Sequence, residues 1–519
     1  MNMVDFLVVA PIALPLLTAA LTMMAWQSHA AQRWLGVMGA LALLAATVAL
    51  FLRVREDGIL VTQLGNWEAP YGIILVADQL SAVMLMLSAV LVLGCAIYSL
   101  AAIDKGRERF GYYPLLHVMV MGVCGSFLTG DVFNLYVWFE VMLIASFALL
   151  ALGGEREQLD GALKYVIINI VSSSVLLLAT GMLYGLTGTL NMADIAIRLA
   201  ELGPDVRVSA VAMLFLVAFG LKAALFPLFF WLPASYHTPH IAVSAIFSGL
   251  LTKVGAYVMV RYFTLIFVGD IGLTHTLILW LSVATMFLGV LGAVSQFEWR
   301  KILSIHIISQ IGYMTLALAV YTPLALAGAV MYIGHNIIIK ANLFLVAGLG
   351  YRIMGTYDLG RLGGLYKHFP WLAVLFLLSA FSLAGVPPLW GFWAKFVVIR
   401  STLEAHHWVA AGFALFTGVL TLFSMTKIWM YAFWKKLPEG TPDRVLRTRL
   451  PWQMVLPCVV LLGIAILFGV LAGPVLDVAL AVGNQVCNPE EYIRAVLPAH
   501  YLEALEATTM PRTCHGVGP

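Results

Sequence analysis

The sequence predicts an all-α polytopic membrane protein with about fourteen transmembrane helices. Three observations predict it. Of the 519 residues, 62% are hydrophobic and only 11% charged, where a soluble domain carries about 25% charged residues. Apolar stretches long enough to cross a bilayer recur along nearly the whole chain. No polar stretch exceeds about 40 residues, so 1–480 reads as a single helical bundle and 481–519 as a tail. The net charge of +3 is small and gives no basis for binding nucleic acid.

The candidate spans, in order, are about 4–25, 34–52, 78–101, 112–129, 131–152, 162–187, 207–231, 241–263, 272–295, 302–321, 324–349, 371–400, 408–434 and 453–480. Each fits a tilted membrane helix. Met1–Trp26 is apolar but runs directly into further spans, so it reads as a retained first helix rather than a cleaved signal. The five cysteines lack metal-ligand spacing, and Cys95, Cys124 and Cys458 fall in apolar helices as small core residues. Neither a metal nor a cofactor is expected.

Orientation follows from the cations in the connections. Odd-numbered connections hold Arg33, Lys105, Arg107, Arg109, Arg156, Arg300, Lys301, Arg352, Arg361, Lys367, Lys435, Lys436, Arg444, Arg447 and Arg449. Even connections and the ends hold Arg53, Arg55, Arg198, Arg207, Arg261, Arg494 and Arg512. Fifteen against seven makes the odd side cytoplasmic and both termini extracytoplasmic. The membrane is then the cell's inner (plasma) membrane. Cys487 and Cys514 of the tail could form a disulfide there.

Two spans are interrupted. The seventh carries Pro227 and Pro233, and the twelfth carries Gly385, Pro387 and Pro388 at its middle. Proline removes a helix hydrogen bond, and in lipid the freed carbonyl must face protein or water. Lys222 lies five residues before Pro227, and Lys395 seven after Pro388. Lysines on opposite sides of two matching breaks suit two inverted repeats, about 112–263 and 272–434. Two ordinary proline kinks are the alternative.

Inside the spans lie Glu140, Lys222, Lys253, Lys340 and Lys395. Glu140 sits nine residues past Asp131, about 13 Å into a core about 30 Å thick. A charge at that depth usually faces a partner or a water-filled cavity. His335 and Asn336 stand about a turn before Lys340, His306 opens the tenth span, and Lys164 lies at the edge of the sixth. Lys164 is placed to reach the interface, and a lone histidine is as often a bonded core residue as a relay group. One central carboxylate against four lysines does not suit Na⁺ or K⁺, which take oxygen ligands. A buried lysine can exist neutral and take up a proton. The set therefore reads as a proton relay, with Glu140 and Lys222 as a carboxylate–lysine switch.

Five motifs carry a resemblance: LKAALFPLFFWLPASY (221–236), SAIFSGLLTKVGAY (244–257), KILSIHIISQIGYM (301–314), HNIIIKANLFLVAG (335–348) and LAGVPPLWGFWAKF (383–396). On these, the chain resembles the antiporter-like membrane subunits shared by respiratory complex I, membrane hydrogenases and multisubunit cation/proton antiporters. TGDVFNLYVWFEVMLIASFALLALGG (129–154) and GALKYVIINIVSSS (161–174) look most like the D subunits of Mrp-type antiporters. The resemblance implies that Glu140 is the fifth-helix glutamate, Lys222 the lysine of the broken seventh helix and Lys253 the connecting lysine of the eighth. It likewise makes Lys340 the central lysine of the eleventh helix, with His335 beside it, and Lys395 the terminal residue of the twelfth. The run ASYHTPH (234–240) departs from the common pattern.

The resemblance further implies a hetero-oligomeric secondary transporter rather than an enzyme. Na⁺ or K⁺ would leave in exchange for entering protons, which pass from Lys222 by Lys253 and Lys340 to Lys395. The cation site would lie partly or wholly in other membrane subunits. A proton-pumping subunit of a complex I-like or hydrogenase redox enzyme is one alternative. A membrane scaffold with purely structural buried charges is another.

Overall fold

The computed structural model describes residues 3–439, 448–504 and 510–514. Arg444 and Arg447, counted above for orientation, lie outside the described residues, as do 505–509 and 515–519 of the tail. Among the described residues, twelve helices are long and apolar enough to cross a membrane. Two shorter apolar helices, Tyr112–Leu128 and Pro370–Ala384, stand at the fourth expected span and in the first half of the twelfth. The chain is a multi-pass membrane protein.

The main helices are α1 (Met3–Met24), α2 (His29–Asp57), α3 (Gln79–Ala102), α4 (Tyr112–Leu128), α5 (Val132–Ala151) and α6 (Arg156–Thr187). Then come α7 (Val206–Ala223), α8 (Ile241–Leu265), α9 (Ile271–Val294), α10 (Trp299–Val320) and α11 (Pro323–Met354). They are followed by α12 (Pro370–Ala384), α13 (Trp390–Glu404), α14 (Trp408–Ile428), α15 (Trp452–Val470), α16 (Ala472–Val486) and α17 (Pro489–Val496). One small exception to all-α is an antiparallel pair, β1 (Leu60–Gln63) and β2 (Ile74–Ala77), with Leu60 opposite Ala77.

Local chemistry sets the ends. Asp131 caps α5, its Oδ1 accepting the Asn134 amide at 2.6 Å. Thr322 caps α11 ahead of Pro323, where a missing N–H costs nothing. Gly188 and Gly355 close α6 and α11 in the left-handed conformation.

Helices apolar all round belong inside. Within their most apolar windows, α8, α10 and α11 are 100%, 94% and 83% buried, against 39% for α1, α6 and α15. The three innermost helices are the ones that carry Lys253, His306, His335 and Lys340.

Both expected breaks are present. α7 stops at Ala223, the chain turns through 224–230, and helix resumes at Trp231–Ser235. Pro233 lies inside that short helix and is not part of the break. α12 stops at Ala384 and α13 begins at Trp390. The freed backbone groups find partners as the membrane requires. The Phe226 amide donates to Thr285 Oγ1 at 2.9 Å, and Trp231 Nε1 donates to the Leu221 carbonyl at 2.9 Å.

Candidate functional site

Lys222 is buried in the last turn of α7, beside the first break. Its Nζ donates to Ser173 Oγ of α6 at 3.3 Å and stands 4.7 Å from the ring centroid of Phe139 on α5. Glu140 is the next residue, within electrostatic reach of Lys222, yet no ion pair within 4 Å joins them among the described residues. The expected switch is open in this structure. Phe133, Val137 and Ile144 are exposed along α5, and Glu140 shares their stripe, half-exposed, with its Oε1 buried and unpartnered.

Lys253 is fully buried; its Nζ donates to the Ser248 carbonyl and lies 3.5 Å from Thr252 Oγ1. Lys340 donates to the Leu303 carbonyl of α10 at 3.2 Å. Lys395 reaches back across the second break to the Ala384 carbonyl at 2.9 Å, closing the end of α12, and faces the Tyr313 ring at 5.2 Å. Lys340 lies within electrostatic range of both Lys253 and Lys395. The structure thus strings Lys253 of α8, Lys340 of α11 and Lys395 of α13 across the bundle.

His335 bonds Ser382 Oγ through Nε2 at 3.0 Å and packs edge-on against Trp390. His306 sits 3.4 Å from Ser309 Oγ. His335 Nδ1 and His306 Nε2 are buried without a partner, so each ring keeps a free nitrogen beside the lysines. Lys164 stands apart. It is exposed and paired with Asp160 at 2.5 Å, a surface ion pair outside the buried line.

The four central lysines touch carbonyls, hydroxyls and ring faces, and none has a carboxylate within 4 Å among the described residues. Like charges in a low-dielectric interior repel far more than in water. Among the described residues no group of three or more His, Cys, Asp or Glu could hold a metal ion.

A polar cavity of about 340 Å³ opens at the foot of α8, lined by Asp104, Arg107, Glu155, Glu157, His240 and Arg300 among others. His240 caps α8, its Nδ1 accepting the Ala242 amide at 3.3 Å. Burial, together with Arg107 and Arg300, pushes its imidazole down to about 4.

A family model described as NADH:quinone oxidoreductase/Mrp antiporter, TM, matches residues 129–421, more than half of the chain. The chain belongs to that family. It is 46% identical over 491 residues to the D subunit of the Na⁺/H⁺ antiporter of Alkalihalophilus pseudofirmus, covering 95% of this chain and 99% of that one. It is 39% identical to the D subunit of the Na⁺/H⁺ antiporter of Bacillus subtilis, covering 94% and 99%. Among solved structures it is similar to a chain of the Mrp complex from Dietzia sp. DQ12-45-1b, with a TM-score of 0.88, 32% identity and 96% and 100% coverage.

For this member of the Mrp antiporter family, some partners of the line carry no sequence signal. Ser173, Ser382 and Tyr313 are ordinary residues of apolar helices until the fold brings them to a lysine. One signal was readable: His240, Ser244, Ser248 and Thr252 recur every fourth residue, a polar stripe on α8 that leads from the cavity to Lys253. One expectation needs correcting. Arg261 is not a connection cation; it is buried within α8 and ion-paired to Asp78. The helix runs to Leu265, so the charge asymmetry becomes fifteen against six.

Proposed function

We propose that this chain is the proton-translocating subunit of a multisubunit Na⁺ or K⁺/H⁺ antiporter. It is a secondary transporter subunit, not an enzyme. The observation that carries the reading is the row of four buried lysines, two of them at helix breaks, with no carboxylate within 4 Å of any of them among the described residues. Protons reach Lys222 near the break after α7, pass Lys253 and Lys340, and leave from Lys395 near the break after α12. His335 and His306 offer free ring nitrogens along the way. Glu140 sets the charge at the Lys222 end. The two breaks belong to inverted repeats, about 112–263 and 272–434.

That no carboxylate stands within 4 Å of the four lysines among the described residues supports a cation site lying at least partly in other membrane subunits. Two relatives named as D subunits of Na⁺/H⁺ antiporters favour this reading over a redox-driven pump. The chain lies in the plasma membrane with both termini outside. The cation asymmetry and the Cys487–Cys514 disulfide of the tail support that orientation. Mild-detergent extraction of the tagged chain from native membranes, with mass spectrometry of what co-purifies, tests the assignment. Small hydrophobic partners without cofactor proteins are expected. Iron–sulfur or flavin subunits would overturn it.

A further inference from the structure

Where α1 ends and α2 begins, the structure holds an open recess of about 630 Å³ lined by Trp26, Gln27, His29, Lys105, Gly106 and Arg109. Its far wall is the short helix Lys105–Arg109 that precedes α4. Trp26 packs toward that wall: a Cβ added at Gly111 would lie 2.9 Å from its ring. Gln32 holds the α1–α2 turn, its Nε2 donating to the Trp26 carbonyl at 3.0 Å.

The charges around the recess do not cancel. Glu108 is buried and held by Arg33 in a two-pronged ion pair, with Nε at 2.6 Å and Nη2 at 3.0 Å. Asp104 and Glu155 are both held by Arg107, the latter at 2.9 Å. That leaves Lys105 and Arg109 exposed and without an ion pair among the described residues. They stand four residues apart, so both lie on one side of a single helical turn. The lining contains no carboxylate. Two uncompensated cations suit an anion, and the fork of a guanidinium matches a phosphate.

The surroundings point to lipid. α1 and α2 are among the least enclosed helices, 39% and 28% buried within their most apolar windows. Each leads away from the recess with an exposed apolar stripe at helical spacing: Leu17, Leu21 and Met24 on α1, and Trp34, Met38 and Leu41 on α2. Trp26 and Phe110 are exposed beside the cations, as aromatic residues are at the level of lipid headgroups.

We propose that this recess binds an anionic phospholipid, its phosphodiester between Lys105 and Arg109 and its acyl chains along the stripes of α1 and α2. Basic pockets at the ends of membrane helices hold such headgroups. A free phosphate would satisfy the cations and leave the stripes unused. The bound lipid joins the α1–α2 hairpin to the Lys105–Arg109 turn. The proposal does not depend on which ions the chain moves.

The test uses the assembled complex in phosphatidylcholine vesicles with a small fraction of phosphatidylglycerol carrying a photoreactive headgroup. Mass spectrometry maps the cross-linked peptides. Labelling should fall on 26–29 and 105–110 and be displaced by unlabelled phosphatidylglycerol. Extra phosphatidylcholine, or inorganic phosphate at matched ionic strength, should leave it unchanged. Each cation beside an anionic headgroup is worth about five-fold in binding. The double variant Lys105→Gln, Arg109→Gln should therefore need at least about ten-fold more of the lipid for half-maximal labelling. An unchanged requirement overturns the proposal, as does displacement by phosphatidylcholine. Displacement by inorganic phosphate overturns it in favour of a site for free anions. Absence of labelling overturns it as well, and carbodiimide linkage of Lys105 to an acidic residue of another subunit would then identify a protein contact. If the double variant assembles poorly, displacement in the parental complex decides.

Discussion

At the scale of single residues, the site is defined by what the lysines lack. Lys222, Lys253, Lys340 and Lys395 hold carbonyls, hydroxyls and aromatic faces, so each can lose its charge without stranding a buried carboxylate. Lys253 and Lys340 were legible in the sequence because each lies more than ten residues inside its span, too deep for an interfacial lysine. The open Glu140–Lys222 contact was not, because it depends on how α5 is rotated. His240 offers a check by titration. Its folded value of about 4 lies below the ordinary 6.5 of an unfolded chain. Between those values the unfolded chain binds a proton that the folded one refuses, so stability is full above about 6.5 and is lost as pH falls toward 4. His240→Asn keeps a capping acceptor. The purified variant should lose less thermal stability than the parent between pH 7.5 and 5; equal losses would contradict the assignment.

At the scale of elements, the proline breaks were legible and their limits were not. Pro227 marks the first interruption, but the helix stops at Ala223 because Ala224 adopts a left-handed conformation that no residue type announced. Strands of four residues are too short to stand out from apolar spans, so the β1–β2 pair was hidden as well. The Asp78–Arg261 pair was invisible for another reason: its partners lie 183 residues apart. Packing between elements gives its own prediction. α8 crosses the broken end of α7 at Gly255, where an added Cβ would lie 2.7 Å from the Ala223 amide nitrogen and 2.9 Å from the Lys222 carbonyl carbon. Gly255→Ala forces the two helices apart beside Lys222. It should destabilise the protein by roughly 1–3 kcal/mol, the usual size of overpacking, and lower the amount of assembled complex. Parental levels in membranes would show that the crossing tolerates the methyl group.

At the scale of the whole molecule, hydropathy fixes the class because the bilayer acts as a solvent with strict rules. α8, α10 and α11 form the buried axis and carry Lys253, His306, His335 and Lys340, while Lys222 and Lys395 stand on α7 and α13 beside the two breaks. Cys487 and Cys514 report on sidedness. After reduction, a membrane-impermeant thiol reagent applied to intact cells should label the part-exposed Cys514 of this pair, while the buried Cys95, Cys124 and Cys458 stay unreacted. Labelling of the pair only after lysis would place the tail in the cytoplasm.

The central claim is that the buried lysine line carries the protons exchanged for Na⁺ or K⁺. Lys340→Met tests it most directly, because Lys340 sits on α11 between Lys253 and Lys395 and replacement by methionine preserves an unbranched side chain. Cation-driven proton movement would be followed in vesicles containing the whole complex, alongside the amount of complex assembled. Normal assembly with antiport abolished is the predicted result. Antiport undiminished per assembled complex would contradict the claim.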